Sequence, residues 1–581
     1  MCGIFGCITN KNVEQTLIKG LEYVEYRGYD SSGICVTNGD TYNITKAIGD
    51  IENLKKVINS NTLGGVGIAH TRWATTGSVS IENTHPFVSE NQKIALVHNG
   101  IIENAENLKQ QLNINKYSSK TDSEVIAHLL QNTNPNSVDF IDEFQKLEGS
   151  YAVTYLHKDS PNTLYVAKYK CPLYIAKCED EVYVASDPIC FSSMCKKYYA
   201  LGDHEYGVLT KNGLTFYNKN KVQIQKHPIT LDIDNSFINS TKLNTTHMYS
   251  EICEIPNIIQ KIAKNSNYLV VFEKIKQLIT KLNIKKISLI GCGTAYHSCL
   301  NGAMYLQEYA KIESSAYISS EFLYSNSIIS SDTLYVFISQ SGETLDTISC
   351  IDLVKAKHMP IVCITNATHS TIAHKSDIVI YSDSGKEYAV ASTKTYVAQI
   401  SILYNFSKYL EGKTYNHTNA INIDTLNHSA QLIPLILKYK KVFILGRARD
   451  YATALEASLK IRETCYIPTF ALSCGELKHG TLALVDEDTL CIVINTTKSL
   501  IDKNSSTINE IQSRGGSVVT VSTYKITNTI KQVEYSITLP KHSNLDVVSI
   551  IPFQLLANDL SLHLKHNPDK PRNLAKSVTV E

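Results

Sequence analysis

The sequence predicts a β-rich, layered α+β domain at the N-terminus, followed by two α/β subdomains built on doubly wound parallel sheets. Three observations lead there. Up to about residue 235, short alternating or β-branched runs are broken by Gly, Asn and Asp turns. From about residue 260, buried-type runs alternate with helical segments, the pattern of parallel strands joined by crossover helices. That second pattern then occurs twice, as an internal duplication.

In the first region the runs at 64–69, 94–98, 151–156, 163–168 and 181–185 read as strands. Helices are expected at 13–25, around Leu17, Leu21 and Tyr23, and at 121–130, where Thr121 and Glu124 have capping-box spacing. A polar, aperiodic stretch near 232–246 (DIDNSFINSTKLNTT) reads as a linker. The domain map is therefore 1–235, a linker at 236–250, subdomains at 251–425 and 426–568, and a tail at 569–581. Strands of the subdomains are expected at 286–290, 334–338 and 361–364, then at 442–445, 490–494 and 517–521. KISLI-GCGTAYHSCL and VFIL-GRARDYATALEASL are both strand, Gly turn and helix, and the two copies meet near 415–435.

A chain of 581 residues is too long for one core. Apolar content of 43% and charged content of 19% fit a folded soluble protein. A net charge of +1 favours neither nucleic acid nor an anionic membrane as partner. The longest apolar stretches, such as 287–290 and 442–445, have strand length, well short of a membrane span. The N-terminus lacks a basic segment followed by a long apolar one, so no signal peptide is read there. Fifteen scattered cysteines, with no Cys-x-x-Cys pair and no zinc-ligand spacing, point to free thiols in a reducing cytoplasm.

Cys2 follows the initiator Met. Removal of Met1 leaves a thiol beside an α-amine that titrates near neutrality, and such an amine can act as general base for its own sulfur. A cysteine at position 2 is, by itself, more often incidental. Its surroundings add to it. His70-Thr71-Arg72-Trp73-Ala74-Thr75 puts an arginine at the end of a strand, and His98-Asn99-Gly100 follows another. A free amino acid needs a cation for its carboxylate and an anion for its ammonium, which Arg72 and Asp122 can supply. The Asn99 side chain and the Gly100 N–H suit a tetrahedral oxyanion.

MCGIFG, EYRGYDSSG, HTRWAT, HNGIIEN and TDSEVIAHL resemble the class II glutamine amidotransferases, N-terminal-nucleophile (Ntn) hydrolases with an αββα sandwich. The resemblance implies Cys2 as nucleophile, Asn99 and Gly100 as oxyanion hole, Arg72, Thr75 and Asp122 as glutamine-binding residues, and Trp73 as gate of an ammonia passage. Thr76 departs from the family pattern, which has His there.

In the second half, Gly-Cys-Gly-Thr at 291–294 and Ser339-Gln340-Ser341-Gly342-Glu343-Thr344 lie between strands and helices. Helix N-termini with nearby hydroxyls favour a monophosphate, and a capped helix is the plainer alternative. Glu456, Lys460 and Glu463 share one helix face, which on spacing alone is equally a solvated ion-pair face. The tail PRNLAKSVTVE is too short for a core of its own.

GCGT, SQSGET, VASTK, ALEASLKIRE, GELKHG and PRNLAKSVTVE resemble the isomerase half of the glucosamine-6-phosphate synthase (glutamine:fructose-6-phosphate aminotransferase) family, a pair of sugar-isomerase (SIS) subdomains. With the N-terminal motifs, the resemblance covers essentially the whole chain. It implies glutamine and fructose 6-phosphate as substrates, and the first step of the hexosamine (UDP-N-acetylglucosamine) pathway. It places phosphate at Ser339, Gln340, Ser341 and Thr344, with Thr294, Val390 and Ala575 near the sugar hydroxyls. Lys576 forms the imine, Glu463 moves the proton between C1 and C2 with Lys460 nearby, and His479 of the neighbouring subunit of a homodimer assists ring opening. No metal and no organic cofactor is called for. Ala295 and Leu323 depart from the family pattern, which has Ser and Arg there.

Other class II amidotransferases, such as amidophosphoribosyltransferases and asparagine synthetases, share Cys2, Arg72 and Asn99. The chain lacks a pyrophosphate or ATP motif and carries SQSGET and the Lys576 tail instead. A non-catalytic sugar-phosphate sensor has no use for Glu463, His479 and Lys576 together.

Overall fold

The computed structural model describes residues 2–578 except 38, 40, 60, 113, 115–116, 232–244, 369, 414–420 and 525–532. Met1, most of the linker, part of the 415–435 junction and the last three tail residues therefore lie outside the described residues. The chain divides into two compact units, with boundaries at 241/242 and 576/577.

The first unit holds an eight-stranded and a seven-stranded sheet whose strands pair antiparallel, with one isolated parallel bridge between Tyr151 and Lys170. Period-two alternation sorts its side chains into three apolar seams. On the strand Gly3–Asn12, Ile4 and Ile8 enter the seam between the sheets, with Val97 and Ala152. Phe5 and Cys7 point to the other face, against Leu17 and Leu21 of the helix Val13–Val24. Ile94 and Leu96 pack outward on Val125 and Ile126 of the helix Glu124–Leu130. The result is the expected four-layer sandwich.

Local details differ from expectation. His98, Asn99 and Gly100 lie inside the strand Ile94–Ile102, not after it. The helix expected at 121–130 begins at Glu124, and no capping box forms. The Glu124 carboxylate instead accepts from the backbone of Ser118 and Ser119, at 2.8 and 2.7 Å. Thirteen described cysteines are free, but Cys178 and Cys195 form a disulfide, which corrects the expectation of free thiols throughout.

The second unit carries two five-stranded parallel sheets of the same topology. The first runs Glu313–Ile318, Lys286–Gly291, Thr333–Ser339, Ile361–Thr365, Ile378–Tyr381. The second runs Thr469–Ser473, Lys441–Gly446, Thr489–Asn495, Ser517–Ser522, Tyr535–Thr538. Counted within each subdomain the order is 2-1-3-4-5, so the chain reverses direction between strands 1 and 3 and leaves a crevice at their C-terminal ends. Residues 247–250, read as linker, are the first turn of the helix His247–Lys264, capped by the Thr246 side chain. The helix Leu545–His563 is long and apolar enough to cross a membrane by length and composition. It is buried in the core that both subdomains share, with Leu403, Phe406 and Ile461.

Candidate active site

In the first unit, Cys2 immediately precedes the strand Gly3–Asn12, and its thiol lies against the end of the neighbouring strand Leu63–Arg72. Sγ donates to the Trp73 carbonyl at 3.5 Å and accepts from the Trp73 N–H at 3.4 Å. Burial pushes the thiol up, while that N–H and the Arg72 guanidinium pull the other way. Asn99 Nδ2 donates to the Cys2 carbonyl at 2.9 Å, bringing the oxyanion candidate to the candidate nucleophile. Gly100 has φ +135°, and a Cβ there would stand 2.0 Å from the Ser150 carbonyl oxygen, so only glycine fits.

Arg72 is held by the turn after its own strand, donating to the carbonyls of Thr76, Gly77 and Ser78. Asp122 accepts from the Ile102 N–H at 2.7 Å and from the Thr76 hydroxyl at 2.7 Å. The threonine at the departure point thus orients the carboxylate expected to hold the glutamine ammonium. Thr75 is exposed and Trp73 half-buried.

The second cluster lies where the helix Arg449–Cys465 of the second subdomain meets the helix Thr294–Tyr305 of the first. The helix Arg449–Cys465 carries Glu456 and Lys460, both buried, and the partly buried Glu463 on one face, so the solvated-face alternative does not hold. Lys460 lies 3.3 Å from Glu456, bonds to Glu463, and donates to Thr294 Oγ1 at 3.1 Å. Glu456 also accepts from Thr294 at 3.1 Å and pairs with His297 at 2.7 Å, joining the first subdomain to the second. Burial pushes Glu456 up, but Lys460 and His297 outweigh it and hold it low. Burial raises Glu463 despite Lys460, which suits a group that accepts and returns a proton.

The segment Ser339–Thr344 sits at the crevice of the first sheet, where strand order reverses. Ser339 Oγ accepts from the Gly342 N–H at 3.0 Å and lies 2.9 Å from Thr344 Oγ1. Gly342 has φ +65°, and a Cβ would collide with Ser370 Oγ at 2.1 Å. The following helix Leu345–Lys355 has no side-chain N-cap bond, leaving its N-terminus to serve an anion. Gln340 and Ser341 complete the loop.

The tail is anchored, not frayed. Asp569 accepts from the N–H groups of His247 and Met248 at 2.9 and 2.8 Å, and its carbonyl accepts from the Val390 N–H at 3.0 Å. Beyond Ala575, Lys576 is buried against Glu387 at 2.6 Å and acts electrostatically on Glu463. Glu387 also accepts from Ser392, Thr393 and Thr395, and is held down to about 2. Sequence reasoning missed Glu387, although it stands three residues before VASTK. Beside it, Glu251 is raised to about 8 by burial and by Glu387. His479 ends the exposed turn Glu476–His479 and, among the described residues, makes no polar contact with this cluster.

A family model for the glutamine amidotransferase domain matches residues 70–193, and a SIS domain model matches 282–407 and 435–564. Over their full lengths, this chain is 35% identical to the glutamine–fructose-6-phosphate aminotransferase (isomerizing) of Clostridium tetani and 36% identical to that of Caldanaerobacter subterraneus. The chain belongs to this aminotransferase family. Among solved structures, the C-terminal domain of glucosamine-fructose-6-phosphate aminotransferase from Francisella tularensis is 27% identical, with a TM-score of 0.49. It matches over all of that chain and 57% of this one.

Proposed function

We propose that the chain makes glucosamine 6-phosphate from fructose 6-phosphate with ammonia taken from glutamine, as the first step of the hexosamine pathway. The observation that carries this reading is the buried Lys576–Glu387 pair beside Glu463, in a chain that also places Asn99 on Cys2. In the first unit, the Cys2 thiolate attacks the glutamine amide after its own α-amine takes the proton. Asn99 and Gly100 stabilise the oxyanion, while Arg72, Thr75 and Asp122 hold the amino acid.

In the second unit, Ser339, Gln340, Ser341 and Thr344 take the phosphate, and Thr294, Val390 and Ala575 contact the sugar. Lys576 forms an imine with the C2 carbonyl, which ammonia displaces. Glu463, with Lys460, then moves the proton from C1 to C2. His479, exposed in its own subunit, assists ring opening in a partner subunit of a homodimer. Trp73 gates the ammonia, which keeps its lone pair only while unprotonated. The chain works in the cytoplasm without metal or organic cofactor.

The test is glucosamine 6-phosphate formation from fructose 6-phosphate with glutamine or with ammonium. Cys2→Ala loses only the glutamine-dependent reaction, and Lys576→Arg loses both. Synthesis by Lys576→Arg at the parent rate sinks the imine.

A further inference from the structure

An asparagine side chain stabilises an oxyanion only with its nitrogen end. Shape cannot choose between the ends, because amide oxygen and nitrogen are nearly the same size. The choice falls to hydrogen bonds. Asn99 Oδ1 lies 3.1 Å from Nε2 of His70, and the same Nε2 lies 3.0 Å from the carbonyl oxygen of His98. Both neighbours only accept here, so Nε2 carries the hydrogen and forms a three-centre bond.

His70 is fully buried, and burial holds its ionisation down to about 3, so its ring carries a single hydrogen at neutral pH. That hydrogen is committed to Nε2. Among the described residues Nδ1 has no partner, and neither has either nitrogen of His85, whose ring stacks on His70 at 3.9 Å. At the far end of the amide, Asn99 Nδ2 uses one hydrogen on the Cys2 carbonyl, which leaves the second for a ligand.

We propose that His70 is the positioning residue that sets the polarity of the oxyanion hole, its Nε2–H holding Asn99 Oδ1 so that Nδ2 faces the tetrahedral oxyanion formed at Cys2. The proposal rests on the reading of Asn99 as an oxyanion donor.

The test uses the full chain with Met1 removed. His70→Leu should lower kcat for glutamine hydrolysis by about 10²–10³-fold, the cost of one oxyanion donor, and leave KM within about threefold. Ammonia-dependent synthesis stays at the parent rate. Inhibition by glutamate γ-semialdehyde, whose adduct with Cys2 fills the hole, weakens in parallel, whereas inhibition by glutamate does not change. His70→Gln, which keeps a donor near Nε2, recovers much of the loss, and His70→Asn does not. In an Asn99→Ala background, His70→Leu adds nothing further.

A His70→Leu kcat near that of the parent, or a loss that adds to that of Asn99→Ala, overturns the proposal. If glutamate binding is lost as well, the Gln and Asn variants decide, and equal activity of the two overturns it. An Asn99→Ala enzyme with parent kcat overturns the underlying reading of Asn99 too, and so is told apart from a failure of His70 alone.

Discussion

Replacing Thr76 by valine removes one hydroxyl and keeps the shape of the side chain. That hydroxyl donates to Asp122 Oδ1 at 2.7 Å, while the other carboxylate oxygen keeps its bond from the Ile102 N–H. A hydrogen bond to a charged group contributes about 1.5–3 kcal/mol. Asp122 is buried but Thr76 is half-buried, and partial screening brings the expected loss to about 1–2 kcal/mol. At about 1.4 kcal/mol per factor of ten, the KM for glutamine should rise by about 5–30-fold. Asp122 is expected to grip an ammonium group that does not react, so ground state and transition state lose alike and kcat should hold. Glutamate release measured over a range of glutamine concentrations gives both constants. Thr76→Ser should restore the parent KM, and ammonia-dependent synthesis should be unaffected by either change. An unchanged KM, or a fall in kcat at constant KM, refutes the reasoning.

Three further outcomes are expected. Trp73→Ala should keep hydrolysing glutamine while ammonia escapes to the medium, so that glutamate is produced in excess over glucosamine 6-phosphate. Lys460→Met leaves Glu456 and Glu463 buried without their shared cation, which should lower stability by about 3–5 kcal/mol in urea titrations. Glu251, raised to about 8 from an ordinary value near 4.3, contributes stability that is complete below about 4.3 and is lost as pH rises through about 8. Glu251→Gln carries no such loss, so its melting temperature should exceed the parent's at pH 8 and match it at pH 4.

The parallel sheets were legible because strands buried on both faces are near-continuous apolar runs. All six runs picked out in the second half are strands. The helix Leu545–His563 was not legible by the same logic. Its polar residues, such as Asp546, Ser549, Gln554 and Asn558, fall on no single face, so it shows no amphipathic period. Motifs revealed residues whose chemistry is local, such as SQSGET and HTRWAT. Glu387 has no such signature, and its meaning comes from a lysine 189 positions later. The capping box failed because Glu124 had nearer donors in Ser118 and Ser119. The Cys178–Cys195 bridge joins residues 17 positions apart across the strand Glu181–Ala185 and the helical turn Pro188–Phe191, which composition does not report.

The duplication also bears on why the phosphate site is proposed in the first copy and not in the second. After the first strand of each subdomain the backbone makes the same turn: Gly293 has φ 53° and ψ −125°, and Ala448 has φ 50° and ψ −123°. Two residues on stand Ala295 in the first copy and Asp450 in the second. Asp450 is buried, and its carboxylate accepts from the N–H of Thr496 at 3.0 Å and from the Thr496 hydroxyl at 2.5 Å. Thr496 follows the third strand of its subdomain, as Gln340 follows Ser339 in the first. In the second copy the loop donors that an incoming phosphate would use therefore already serve an internal carboxylate, and its negative charge repels a second anion. Ala295 is too short to reach across, so the first copy has no internal carboxylate at the equivalent position. The Ser expected at position 295 would add a hydroxyl there, but an acidic side chain is what would close the cradle. With its own crevice closed, the second copy contributes through the face of its helix Arg449–Cys465, where Glu456 and Lys460 reach Thr294 of the first copy and Glu463 is held on Lys460.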